Sequence, residues 1–229
     1  MIIDPNLQIL LCRGHYAQGV IMAVELNLLD AARLDAAFNL ATQVFTEAST
    51  LHRALKIGLN EYREHLRHPF EMMVSEGLSI AATDNHSCDL VGCLIVTDFS
   101  NQLVEKANPS QKFAPLSALT KDLCRQYQRK RLISAADAIL VDMAAVSKEA
   151  GGGGIYKQMR AAADGFARSR GFKLVIGELS SPVTQHVVLE RLGHRKMAEI
   201  NFAEFQYGNE RPFHTIQKPP SIILSEGDL

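Results

Sequence analysis

The fold is decided by residues 138–179, which read AILVDMAAVSKEAGGGGIYKQMRAAADGFARSRGFKLVIGEL. Residues 138–146 form a nearly continuous apolar run, the pattern of a strand buried on both faces. Four glycines follow, and the helical pattern that begins after them ends at Gly171. Residues 173–179 predict the next buried strand. This order of strand, glycine turn, helix and strand indicates a mixed α/β domain.

The segments upstream continue the same alternation of strands and helices. Asp30 is the predicted N-cap of the first helix, Ser49 or Thr50 caps the second, and Pro69 is expected to stop it. The connection DNHSCD, residues 84–89, is rich in turn residues and predicts an antiparallel hairpin of the two strands that flank it. The predicted elements are strand 22–29, helix 31–45, helix 51–70, and strands 78–83 and 90–97.

Downstream of the deciding stretch, residues 183–192 have a helical pattern that Gly193 closes, since glycine is favoured just after a helix. Residues 196–205 and 222–224 predict the last strands. The complete predicted order is β-α-α-β-β-β-α-β-α-β-β. Residues 22–229 are taken as one domain with an insertion at about 100–137, and residues 1–21 as an N-terminal extension that forms an extra strand or helix.

Composition narrows the functional classes. Apolar residues make up 47% of the 229 residues, so a large core is feasible, and the net charge of -1 argues against a general nucleic-acid binder. The four cysteines form no CxxC pair, which favours a reducing, cytoplasmic location. The apolar run at residues 7–11 is too short to span a membrane. A monomer or a homodimer is expected.

The glycine run Gly151–Gly154 predicts a phosphate site. Glycines let backbone N–H groups converge, and the start of the following helix adds partial positive charge, so a basic protein is not required. A flexible loop at the helix entry is the simpler alternative. A dinucleotide fold would carry its glycines at the first βα turn, and a Walker A loop would end in Gly-Lys-Ser/Thr, whereas Ile155 follows Gly154 here.

These motifs, taken in order, resemble the coenzyme-binding core of the GNAT acetyltransferases. That family has a strand, then Arg/Gln-x-x-Gly-x-Gly/Ala, a helix, a strand, and a helix that ends in Glu-Lys-Leu-Gly-Phe. Residues 190–194, ERLGH, are similar to that ending, and the essential glycine of the family falls on Gly154. The resemblance implies a GNAT fold with a splayed central sheet, helices on both faces, and acyl-coenzyme A as cosubstrate.

The likeness extends over about residues 22–225 towards the arylalkylamine and dopamine N-acetyltransferase branch. Residues 45–47, FTE, resemble its Phe-x-x-Glu-Pro segment, Ser180-Ser181 its paired serines, and residues 201–205, NFAEF, its Phe-Ala-Asp-Tyr strand. The resemblance implies direct transfer of an acetyl or acyl group to a small primary amine. The coenzyme would lie against Ala144, Ala145, Val146, Gly151, Gly152, Gly153, Gly154, Ile155 and Tyr156.

Three positions depart from the family pattern. Gly151 stands at the Arg/Gln position, Tyr156 at the second Gly/Ala position, and Leu189 where many members carry a tyrosine general acid. These departures keep a non-catalytic acyl-CoA-binding or sensing module open as an alternative. An N-acetyltransferase for proteins is the other alternative, but it needs an open groove, whereas the insertion and the early helices suggest a covered pocket.

The resemblance makes Glu47 the candidate general base, because only a neutral amine is nucleophilic. From the residues alone, Glu47 is a solvated loop carboxylate or a cap for the next helix. Ser181 and Ser180 are candidates to protonate the leaving thiolate or to relay a proton, and their alternative role is to cap the helix near Val183. Asp142, inside an apolar run, should pair with a partner or point to the cleft.

The histidines give no strong site. His65 and His68 share a helical face without a third ligand nearby, so no metal is expected. His186 is expected at the surface, although it could face the thiol end of the coenzyme. The basic residues 125–131 are the solvated face of the insertion helix.

Overall fold

A computed structural model of the chain describes residues 12–15, 21–102, 110–131 and 137–229. The helices are α1 (Leu34–Ala48), α2 (Thr50–Ala54), α3 (Leu59–Ser75), α4 (Phe99–Gln102), α5 (Ala114–Lys130), α6 (Ile155–Ser169) and α7 (Pro182–Gln185), which a π-helical segment (His186–Arg191) continues. The strands are β1 (Cys12–His15), β2 (Ile21–Leu28), β3 (Ile80–Asp84), β4 (Leu90–Asp98), β5 (Ala138–Val146), β6 (Leu174–Leu179), β7 (Arg195–Asn201) and β8 (Ser221–Asp228).

The strands form one mixed sheet in the order β1-β2-β3-β4-β5-β6-β8-β7. Neighbouring strands are antiparallel except for β5 and β6, which are parallel because α6 crosses between them. The mixed α/β sheet predicted from the sequence is confirmed. Part of the stretch treated as an N-terminal extension, β1, pairs with β2 in the same sheet.

Helices cover both faces of the sheet, as predicted. Successive strand residues point to opposite faces, and the core clusters follow this alternation: Ile80 and Ala82 pack with the α6 side, whereas Ala81 packs with α1 and α3. Helix α5, which lies in the predicted insertion, packs on the α1 face over β5, β6 and β8. The sheet therefore separates an α6 side from an α1, α3 and α5 side.

The sheet opens between β5 and β6. Their pairing runs from Ala138↔Leu174 to Val141↔Gly177 and stops, although β5 continues to Val146 and β6 to Leu179. In the β4–β5 pairing, Ile95 faces Met143 and Val96 faces Val141, so Asp142 is the extra residue of a β-bulge. A bulge bends its strand. The predicted splay thus begins at the aspartate that interrupts the apolar run.

The predicted second helix starts within one residue of its expected position, but it is interrupted inside its range and its expected stop at Pro69 is wrong. The helix is interrupted between α2 and α3, where Lys56 has a positive φ of 52°. Helix α3 then continues through Pro69 to Ser75. A proline inside a helix removes one backbone hydrogen bond, but Phe70 and Val74 beyond it are buried in the core, and their burial keeps the helix intact.

Three other element boundaries differ from the prediction. Helix α1 starts at Leu34 with Arg33 as its N-cap, while the carboxylate of Asp30 accepts the Arg33 N–H in the preceding turn, at 3.1 Å. Strand β7 ends at Asn201, so the NFAEF motif lies in a turn instead of a strand; Phe202 and Phe205 are buried there. The predicted helix 183–192 starts one residue earlier as α7 and becomes π-helical.

Candidate functional site

Two cavities of about 260 Å³ each meet at the opening between β5 and β6. We call one the helix-side cavity, which lies under α2, α3 and α5, and the other the cleft cavity, which runs through the opened sheet from α1 to α6. Six residues line both of them: Phe45, Ser49, Asp142, Met143, Glu178 and Ser180. The junction of the cavities is thus a point where two carboxylates and two hydroxyls come together.

The glycine loop stands directly before α6, and two of its glycines have a positive φ. Gly154 is the N-cap of α6 in the left-handed conformation, with φ 73°, and Gly152 has φ 81°. A Cβ built on either glycine meets nothing within 4 Å, so the space beside the loop is open. The first N–H groups of a helix have no partner within the helix. These residues therefore fit an anionic ligand.

The other predicted coenzyme residues divide between the cleft and the core. Ala144 and Tyr156 line the cleft cavity. Ala145 and Ile155 are buried in the cores on opposite faces of the sheet, and Val146 packs against the core under α6. Since β6 pairs with β5 only up to Val141, the backbone of β5 beyond the bulge is left open towards the cleft.

Tyr156 also packs against a small cluster that contains Leu179, Val188 and Leu189. Gly151 keeps an ordinary φ and donates its N–H to the Lys148 carbonyl at 3.2 Å. Gly151 and Tyr156 therefore leave the glycine loop intact, and the Leu189 side chain packs in an apolar cluster beside the cleft.

The predicted catalytic residues are not all at the junction. Ser180 lines both cavities and Ser181 lines the cleft cavity. The Ser181 hydroxyl accepts the N–H of Thr184 at 3.1 Å, so Ser181 caps α7, as its structural alternative predicted. Glu47 lies in the last turn of α1, is exposed, and lines neither cavity, although its neighbours Phe45 and Ala48 do.

Aromatic rings dominate the helix-side cavity. Phe45, Tyr62 and Phe113 line it together with His52 and His65. The His65 ring stacks on Phe113 with centroids 4.2 Å apart, and the Phe45 ring stacks on Tyr62 at 6.2 Å. His68, its expected companion on the helix face, is exposed. Flat apolar walls of this kind suit an aromatic or long apolar group.

Burial sets the protonation of the polar groups in this cavity. It lowers the pKa of His52 to about 4, so the imidazole is neutral at pH 7. His52 Nδ1 lies 2.9 Å from the Ser49 hydroxyl. Burial, and then the charge of Asp142, raises the pKa of the Tyr62 phenol. The Tyr62 hydroxyl therefore stays protonated and donates to the sulfur of Met143 at 3.5 Å.

Sequence reasoning missed His52, Tyr62, Phe113 and Glu178 as site residues. His52 and Tyr62 lie on a predicted helix, Glu178 lies on a predicted strand, and Phe113 lies in the predicted insertion. Nothing in their local pattern separates a cavity wall from a core position. Asp142 was the one strand residue that stood out, and it lines both cavities. His186 is exposed and bonded to Glu190 at 2.9 Å, as expected for a surface histidine.

The described residues contain neither a metal-binding cluster nor a membrane-spanning helix. Within residues 12–15, 21–102, 110–131 and 137–229, no group of three or more His, Cys, Asp or Glu side chains could hold a metal ion. Over the same ranges, no helix has the length and apolar character needed to cross a membrane.

The sequence matches no protein-family model and no curated protein sequence. Solved structures do match. Arylalkylamine N-acetyltransferase 7 from the yellow fever mosquito Aedes aegypti has a TM-score of 0.82 at 15% identity, over 95% of this chain and 92% of that one. The C-terminal condensation domain of Ebony in complex with β-alanyl-dopamine has a TM-score of 0.80 at 15% identity, over 91% and 100%.

A polyamine N-acetyltransferase from Drosophila melanogaster also matches, with a TM-score of 0.64 at 15% identity, over 90% of this chain and 100% of that one. At such identities the likeness shows the fold. This chain therefore has the GNAT N-acetyltransferase fold, and its structural neighbours include arylalkylamine N-acetyltransferases.

Proposed function

We propose that this chain is an acyl-CoA-dependent N-acyltransferase that transfers an acetyl or acyl group to a small primary amine by direct attack. The observation that carries the proposal is the meeting of two cavities at the β5–β6 opening. One reaches the side of α6, which carries the glycine loop, and the other is a pocket with aromatic walls under α2, α3 and α5. A thioester and an amine entering from opposite sides would meet at Asp142, Met143 and Ser180.

The coenzyme would be held mainly by fixed backbone groups. Its pyrophosphate would lie on Gly152–Ile155, and its arm would follow the open backbone of Ala144–Val146 past Tyr156. The helix start and the open space beside Gly152 and Gly154 support this placement. Acyl-CoA supplies an activated carbonyl with a thiol leaving group.

The amine would occupy the helix-side cavity. Its apolar part would lie among Phe45, Tyr62 and Phe113, and its ammonium would face the carboxylates of Asp142 and Glu178 at the junction. Amine N-acetyltransferases among the structural neighbours, and the β-alanyl-dopamine bound to the Ebony domain, support an amine of this kind. The cover formed by α2, α3 and α5 argues against a protein substrate.

The chemistry requires one proton to leave the ammonium before attack. We propose Glu47 as the general base acting through water, with Ser180 or Ser181 protonating the departing thiolate. Direct attack is supported by the cysteines: burial raises the pKa of Cys93 to about 12, so this thiol is not an activated nucleophile. Cys88 and Cys93 are free thiols, and we propose a cytoplasmic location.

The test is thiol release from acetyl-CoA in the presence of a panel of arylalkylamines, polyamines and simple alkylamines, with calorimetric titration of CoA alongside. Amine-dependent thiol release is the expected result. CoA binding without thiol release for any amine would select the binding or sensing module that Gly151 and Leu189 favour. A chain that neither binds CoA nor releases thiol would exclude both the acyltransferase and the CoA-binding module.

A further inference from the structure

A buried arginine lies in the wall of the cleft cavity. Arg160 belongs to α6, is 0% exposed, and is the largest of the fully buried side chains. It lines the cleft cavity together with Val141 and Gly177, the last pair before β5 and β6 separate. The guanidinium therefore lies at the narrow end of the opening, about one and a half turns along α6 from the glycine loop.

A chain of hydrogen bonds holds Arg160 against β6. Its Nη2 lies 3.3 Å from Nε2 of His194, whose Nδ1 lies 3.3 Å from the Ser225 hydroxyl, which in turn donates to the Gly177 carbonyl at 3.3 Å. Burial, and then the charge of Arg160, lowers the pKa of His194 to about 4. The imidazole is thus neutral and accepts from Arg160 without compensating its charge.

The guanidinium is only partly satisfied. Asp164 Oδ1 lies 3.7 Å from Nη2, an ion-pair distance that is too long for a hydrogen bond; burial raises the pKa of this carboxyl more than the charge of Arg160 lowers it. Among the described residues, Nε and Nη1 of Arg160 have no hydrogen-bond partner at all. Burying donors of a charged group without acceptors is costly. A guanidinium with unpaired N–H donors at the end of a ligand cleft is suited to bind a carboxylate.

We propose that Arg160 is a specificity residue that binds a carboxylate at the far end of the acyl group, so that the preferred donor is the CoA thioester of a short dicarboxylic acid. The inference rests on the proposed function. In the reaction, the amine nitrogen forms a C–N bond with the thioester carbon and the C–S bond breaks. The thiol leaves with one proton, the solvent takes a second, and the distal carboxylate keeps its charge throughout.

The experiment compares succinyl-CoA with butyryl-CoA, which has the same chain length and no distal charge, using acetyl-CoA as the reference. For the wild type, kcat/KM with succinyl-CoA should exceed that with butyryl-CoA about tenfold or more, the worth of a charge-assisted hydrogen bond. Arg160→Met should abolish this preference when kcat/KM for each thioester is expressed relative to acetyl-CoA in the same variant. Arg168→Met, an exposed arginine on the same helix, is the matched control and should keep the preference.

Equal use of succinyl-CoA and butyryl-CoA by the wild type overturns the proposal, and this measurement does not depend on whether Arg160→Met folds. A uniform loss of affinity for CoA and for all its thioesters in Arg160→Met also overturns it, because the arginine would then contact the coenzyme arm. If no thioester is turned over with any amine, the proposed function fails separately. Calorimetric affinities for succinyl-CoA and butyryl-CoA still decide the role of Arg160.

Discussion

At the scale of single residues, the choice of base is the sharpest question. Glu47→Gln should lower the rate by about 10² to 10⁴, the usual contribution of a positioned base, without changing CoA affinity. The loss should be largest at low pH, where free amine is scarce. Thiol release measured against pH, together with melting temperature, separates this outcome from a capping role, which predicts lower stability and a normal rate.

Asp142→Asn is the natural comparison, since Asp142 lines both cavities and Glu47 lines neither. Loss of an ammonium partner should raise the KM for the amine more than it lowers kcat. Normal turnover by Glu47→Gln near neutral pH, combined with a pH-dependent loss of kcat in Asp142→Asn, would transfer the role of base from Glu47 to Asp142.

Gly154→Val should abolish CoA binding. Gly154 has a φ of 73°, where a β-branched residue is strained, and its side chain would fill the open space proposed for the pyrophosphate. The strain should cost about 1 to 2 kcal/mol of stability, so the domain stays folded. Gly165→Ala, a change elsewhere in α6 with no contact within 4 Å, is the control. Native CoA affinity in Gly154→Val would place the phosphates elsewhere.

At the scale of elements, a buried carboxylate ties the insertion helix to the sheet. Glu226 on β8 is 0% exposed and accepts hydrogen bonds from Tyr127 of α5 at 2.7 Å and from Arg195 of β7 at 2.7 Å, and it also pairs with Arg131. Tyr127→Phe removes one bond to this charged acceptor and should lower the free energy of unfolding by about 1.5 to 3 kcal/mol.

Urea unfolding checks the Tyr127 prediction, with Tyr207→Phe at an exposed position as the matched change. Tyr207→Phe should alter the free energy by no more than about 0.5 kcal/mol. Equal effects of the two substitutions would mean that Glu226 is held by its arginines alone and that Tyr127 contributes only its ring.

Element boundaries also show where sequence reasoning succeeds. The glycine loop and Gly193 were predictable because only glycine is comfortable at φ near 70°, and both positions have it. Lys56 takes a positive φ without being glycine, so the break between α2 and α3 left no local signal. Strand β8 was recognised as a strand, but its place between β6 and β7 depends on non-local pairing.

At the scale of the whole molecule, the site depends on what the two faces of the sheet bring together. The junction residues come from α1, β5 and β6, and the aromatic walls come from α3 and α5. Periodicity indicates that such residues are buried, but it does not distinguish a core from a cavity wall. Arg160 shows the same difficulty, since a basic residue in an amphipathic helix is usually solvated, whereas this one is buried.

Stability should fall on mild acidification, because two buried histidines belong to opposite sides of the sheet. The pKa values of His52 and His194 are about 4 in the folded chain, against 6.5 when exposed. The unfolded chain therefore binds more protons between these pH values. The contribution of these histidines to the free energy of unfolding is fully present above pH 6.5 and is lost as the pH falls towards 4. For His52 this loss is at most about 3 kcal/mol.

Urea unfolding at intervals from pH 7.5 to 4.5 measures this decline, and variants assign it. Replacing a buried histidine with a neutral residue removes its share of the slope. The stability of the wild type should therefore fall relative to that of His52→Gln as the pH is lowered, whatever the difference between the two proteins at pH 7.5. His86→Gln, in the exposed turn before β4, should run parallel to wild type. Carboxylates that lose their partners in acid contribute equally to both proteins, so they cancel in the difference between the two curves. A His52→Gln curve parallel to wild type would therefore show that His52 has the same pKa in the folded and unfolded states.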